Sequence, residues 1–176
     1  MSDAPGGLLE ARAVRLAERA ADRLDAVRRC GGVLAEIGAV GPAYVDAMLQ
    51  REQDISTYVG EGVAIPHATL AGKDAVLRDA LAVLRFTEPV DWDGSPVTLC
   101  IAIAARGDGH LDLLAELAEI LLDPDRAARL READDPDEVV RLLAPAAEGE
   151  GQDQDLDEEE TEDEAADRAA HQAENR

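Results

Sequence analysis

The chain has 176 residues, 46% of them hydrophobic and 2% aromatic, with 17 basic against 39 acidic side chains and a net charge of −22. A core can be built from that fraction, but it must be aliphatic. A polyanionic surface repels nucleic acid and anionic membrane, and four aromatics offer little stacking platform for single-stranded bases. No apolar run reaches the roughly 20 residues of a membrane span.

The first residues, Met1 to Pro5, lack the basic-then-apolar order of a secretory signal. Residues 1–11 read as a flexible leader, 12–146 as one folded domain and 147–176 as a disordered acidic tail. The tail reading rests on charge. Residues 148–176 hold 13 acidic and 2 basic residues, half of the net charge, and one large aliphatic, Leu156. Such a segment cannot bury enough to offset chain entropy.

Within the domain, Ala17 to Ile37 has helical spacing, with Leu24, Val27, Leu34 and Ile37 apolar. Gly31-Gly32 weakens its middle and Gly38 stops it. Gly41-Pro42 opens a second helix that runs to about Glu52, since proline suits a first helical turn. Residues 53–62 read as loop. Val63-Ala64-Ile65-Pro66 is short, apolar and extended, because proline biases Ile65 away from helix. Ala80 to Phe86 and Val97 to Ala104 are buried strands around the turn signal Asp91-Trp92-Asp93-Gly94. After Gly107 and Gly109 comes His110 and an amphipathic helix ending at Asp123-Pro124. Two shorter helices follow, near 124–132 and 136–144. Strands alternating with helices predict an α/β domain. Cys30 and Cys100 sit in apolar settings and read as reduced core thiols, as in a cytosolic protein. No cysteine–histidine cluster exists for zinc.

His67 and His110 are the two histidines inside the domain, since His171 falls in the acidic tail. Each stands where a strand meets a loop, which is where functional groups concentrate. Taken alone, either could be a structural residue. Arg51 could simply suit a helix C-terminus, and Glu61 could be a plain loop carboxylate. Together, a histidine with a second histidine and an arginine suits one task. Neutral imidazole is a nucleophile without prior deprotonation, and cationic neighbours stabilise a transferring phosphoryl group. No GxxxxGK[ST], Gly-rich dinucleotide fingerprint or GxSxG elbow occurs, so a P-loop nucleotide is not the expected donor.

The run Gly62-Val63-Ala64-Ile65-Pro66-His67-Ala68-Thr69 resembles the active-site segment of the mannitol/fructose-type enzyme IIA family. These are phosphocarrier subunits of the bacterial phosphoenolpyruvate-dependent sugar phosphotransferase system. Tyr44 to Glu52, Ser56 to Glu61, Asp91 to Gly94 and Gly109-His110-Leu111 resemble the same family in order and spacing, nearest the mannitol subgroup. The resemblance covers roughly residues 14–144. It implies a mixed β-sheet flanked by helices. It implies that His67 is phosphorylated on the ring nitrogen remote from Cβ, and that His110 contacts the phosphoryl group. Arg51 then stabilises the phosphorylated state, and Glu61 is an acidic active-site residue. The implied donor is phospho-HPr and the implied acceptor is a cysteine of an enzyme IIB domain of a sugar permease. No cofactor, metal, nucleic acid or membrane insertion is implied, and the expected location is the cytoplasm. Ala68 stands where the family more usually has glycine, one added methyl. The alternatives are a regulatory protein whose phosphorylation is a signal, as in the nitrogen-related branch, and a binding module with structural histidines.

Overall fold

In the computed structural model, residues 8–68, 70–106 and 109–147 are described. The acidic tail from residue 148 lies outside them, as does most of the expected leader. Five strands form one mixed sheet: β1 (Leu9–Glu18), β2 (Tyr58–Gly60), β3 (Val63–Ala64), β4 (Ala80–Trp92) and β5 (Ser95–Ala104). Their spatial order is β1-β4-β5-β3-β2. β1 runs parallel to β4, β4 antiparallel to β5, β3 parallel to β5, and β2 antiparallel to β3. Five helices accompany the sheet among the described residues: α1 (Arg23–Glu36), α2 (Pro42–Asp54), α3 (Gly109–Leu122), α4 (Pro124–Glu132) and α5 (Pro136–Ala147). A short 3-10 turn spans Leu70–Ala75. This is the α/β domain that the alternation predicts.

The central hairpin carries the core. β4 and β5 bury Leu81, Leu84, Leu99, Ile101 and Ile103. Their connection is a two-residue turn, Asp93-Gly94, both at positive φ (58° and 98°). That geometry matches strand twist and is where Asp-Gly is favoured. The Asp91 carboxylate also accepts the Gly94 N–H at 2.9 Å.

α1 starts on Asp22, whose side chain accepts the Asp25 N–H at 2.9 Å. It ends in a Schellman motif: Ala39 N–H donates to Leu34 O, Gly38 N–H to Ala35 O, and Gly38 takes φ +78°. Gly31 survives mid-helix for packing, because a Cβ there would meet the Val45 side chain at 2.9 Å. Its absence lets α1 and α2 approach closely. Cys30 and Cys100 are free, buried and adjacent, and burial holds the Cys100 thiol far above its ordinary pKa.

Three expectations are corrected. Residues 9–11, expected in the leader, belong to β1, which begins at Leu9. The first helix starts at Arg23 rather than Ala17, because Ala17 and Glu18 finish β1. The stretch LEARAVRLAE has helical composition, and it is strand because β4 offers a parallel edge to pair with. The loop expected over 53–62 contains β2, which forms against β3.

A buried carboxylate ties these parts together. The Glu52 side chain is fully buried near the end of α2. It accepts the Thr57 N–H at 3.2 Å, the Thr57 hydroxyl at 2.5 Å and the Trp92 indole N–H at 2.9 Å. The Arg23 guanidinium stands 3.8 Å away. Replacing Glu52 by alanine orphans the buried Thr57 and Trp92 donors. Glu52→Ala is expected to cost about 3 kcal/mol, or about 10 °C in Tm for a domain of this size, measured by calorimetry. A loss under about 1 kcal/mol would show that these donors find other partners.

Candidate active site

The segment leading to His67 is an extension of the sheet. Val63 and Ala64 pair in parallel with Leu99 and Cys100. Carried forward, that register sets Ile65 opposite Ile101 and His67 opposite Ile103. The bonds follow the parallel pattern, in which a residue binds both flanks of its opposite number. Ile103 N–H donates to Pro66 O at 3.0 Å. Pro66 has no N–H of its own, so the rung this register would draw to Ile101 O is missing. On the other edge Ile65 N–H donates to Thr57 O at 2.9 Å, and Thr57 is the residue held by Glu52.

His67 itself is buried, 8% exposed. Its Nδ1 lies 2.9 Å from Ile65 O. A carbonyl only accepts, so Nδ1 carries the proton and Nε2 keeps its lone pair in the neutral ring. This is the nitrogen remote from Cβ.

The next amide is held differently. Ala68 N–H donates to the Tyr44 hydroxyl at 3.3 Å, and that hydroxyl donates to Ile103 O at 2.7 Å. Burial pushes the phenol pKa up to about 12; the Ala68 N–H opposes the rise and the Asp79 charge adds to it. The phenol therefore remains a donor throughout the physiological range.

The other expected site residues are distributed unequally. Arg51 is in the last turn of α2, and its Nη1 donates to Ile55 O at 2.5 Å, so the side chain folds over the helix end. It flanks the loop that feeds Thr57. His110 is the second residue of α3, shortly after β5 ends at Ala104. In the chain, His110 and His67 follow the carboxyl ends of β5 and β3, two adjacent parallel strands, the side on which α/β sheets bind ligands. Glu61 is exposed, at φ +53°, in the turn between β2 and β3. It stands at the opposite end of the extended segment from His67.

Tyr44 and Glu52 close the two ends of a family-like run that assigned them no role, and the structure ties both to the approach to His67. A signal for them exists: Tyr44, Met48 and Glu52 follow at i, i+4 and i+8, and they form the buried face of α2. A hydroxyl and a carboxylate on a buried face must each have partners.

The sequence profile of one family matches residues 7–145; its description is "Phosphoenolpyruvate-dependent sugar phosphotransferase system, EIIA 2". The mannitol-specific phosphotransferase enzyme IIA component of Halalkalibacterium halodurans is 36% identical over 141 residues, covering 80% of this chain and 97% of that protein. The mannitol-specific EIICBA component of Pasteurella multocida is 40% identical over 140 residues, 77% of this chain but only 22% of that longer protein. Among solved structures, a chain of the Escherichia coli complex of enzyme IIA-Mtl with phosphorylated enzyme IIB-Mtl superposes with a TM-score of 0.71 at 36% identity. The match covers 78% of this chain and 99% of that one. The chain therefore belongs to the EIIA 2 family of the phosphoenolpyruvate-dependent sugar phosphotransferase system.

Proposed function

We propose that this protein is a cytoplasmic phosphocarrier that takes a phosphoryl group from phospho-HPr onto Nε2 of His67 and passes it to a cysteine of an enzyme IIB domain. The pathway it serves is uptake and phosphorylation of a sugar or polyol, with mannitol favoured by the identities of its relatives. The observation that carries the reading is the Nδ1–H contact to Ile65 O, which leaves Nε2 as the nucleophile. As Nε2 attacks phosphorus, the bond to the donor breaks and positive charge develops on the ring. The Ile65 carbonyl, 2.9 Å from Nδ1, meets that charge. His110 and Arg51 are assigned to the phosphoryl oxygens, where a guanidinium fork suits phosphate geometry. No helix among the described residues is long and apolar enough to cross a membrane.

Both partners must reach the same nitrogen in turn, so their docking surfaces overlap. A hollow of about 300 Å³ beside the His67 segment supports this, lined by Val59, Ile65, Leu114 and Leu122 with Glu61 and Arg131. Val59 and Leu122 are exposed large apolar side chains. An apolar centre with charged members is the composition of a transient protein interface. Glu61, at the edge of that hollow beside the His67 segment, is assigned to the acidic side of this docking surface.

Incubation with phosphoenolpyruvate, enzyme I and HPr should label the wild-type chain with an acid-labile, base-stable phosphate, and His67→Ala should abolish it. Label that persists in His67→Ala and disappears in His110→Ala would reverse the assignment. Label retained in the presence of the IIB domain would favour a signalling role.

His110→Ala keeps the nucleophile, so it should still accept phosphate. Single-turnover transfer onward to IIB should slow by about 10²–10³-fold, the usual cost of one lost charge-stabilising donor. Arg51→Lys should be slowed as well, because an ammonium lacks the planar fork. Wild-type transfer in both directions by His110→Ala would reduce that histidine to a helix-start residue.

A further inference from the structure

The parallel ladder between the His67 segment and β5 has an irregular last rung. In the register of β3 on β5, residue Ile103 should bind both peptide groups that flank His67. It binds the preceding one directly, N–H to Pro66 O at 3.0 Å. It binds the following one through an inserted side chain: Ile103 O accepts from the Tyr44 hydroxyl, and that oxygen accepts from Ala68 N–H. The chain has lifted off β5 by the width of one hydroxyl. Pro66, which has no N–H, also makes no rung to Ile101 O before it.

The two peptide planes around a residue determine its φ and ψ. With both planes tied to Ile103, the backbone of His67 is set by one residue of the central strand. The ring can then reach back two residues to Ile65 O. Tyr44 belongs to α2, buried by packing at 3% exposure, so the helix that ends in Arg51 also supplies this rung.

We propose that Tyr44 is a positioning residue for His67, its hydroxyl replacing a backbone rung so that the imidazole is held with Nδ1 on Ile65 O and Nε2 toward the donor. This rests on the phosphocarrier reading for its kinetic consequence, and not for its structural one.

Tyr44→Phe removes one oxygen and keeps the ring. On the full chain, amide spectra should retain their dispersion. The ¹⁵N shifts of the unphosphorylated His67 ring should move from a single Nδ1–H tautomer toward a mixture. Single-turnover uptake from phospho-HPr should fall by about 10–100-fold at saturation, with the half-saturating concentration of phospho-HPr unchanged. A wild-type tautomer and wild-type uptake would overturn the proposal even if Tm fell, since a phenol that only stabilises would do just that. If the unmutated chain takes no label, the phosphocarrier reading fails, and the tautomer comparison alone decides for or against Tyr44. If Tyr44→Phe does not fold, amide exchange in the unmutated chain decides. Ala68 N–H protected like a strand amide supports the rung, and exchange at the rate of an open loop overturns it.

Discussion

A carbonyl oxygen can accept a hydrogen bond and cannot donate one, and the chemistry assigned to this site depends on that asymmetry at Ile65. With Nδ1 held 2.9 Å from Ile65 O, the proton has one place to be. The energy needed is small, because about 1.4 kcal/mol biases two tautomers tenfold, within the range of one hydrogen bond. The precision needed is larger, because the contact spans only two residues and fails if either peptide plane turns. Ile65 is therefore fixed by Thr57 O on one edge, and the planes on either side of His67 are fixed to Ile103 on the other.

That frame extends to Glu52. Burying a carboxylate is costly unless donors converge on it. Here the Thr57 amide and hydroxyl, the Trp92 indole and the nearby Arg23 do so. These donors come from the start of α1, the approach to β2 and the end of β4. Glu52 thus sets the C-terminal turn of α2 against the sheet. Its chain neighbour Arg51 occupies that same turn. Arg51 and His67 are placed by one polar cluster, one through α2 and the other through Thr57 and Ile65.

Local signals make much of this architecture legible in the amino-acid sequence. The β4–β5 hairpin is legible because Asp-Gly between apolar runs is a local signal with a local cause. The approach to His67 is legible because proline extends the chain before it. β1 is not, since its residues favour helix and only pairing with distant β4 makes them strand. Tyr44 and Glu52 stand in a recognisable run, yet their roles emerge only when α2 buries one face.

Ala68 shows how a side chain next to His67 is accommodated. A methyl beside His67, on a residue tied to Tyr44, needs space that glycine would not. A Cβ on Gly72 would lie 3.2 Å from Ala68 Cβ, 2.7 Å from Ala47 Cβ and 3.6 Å from Tyr44 Cδ1. The bare Gly72 therefore faces both Ala68 and the ring that holds it. Room for the extra methyl comes from a missing one four residues on, where the 3-10 turn packs against α2. The hydrogen-bonded frame constrains the backbone of residue 68 and the local packing constrains its side chain, so alanine fits without moving His67.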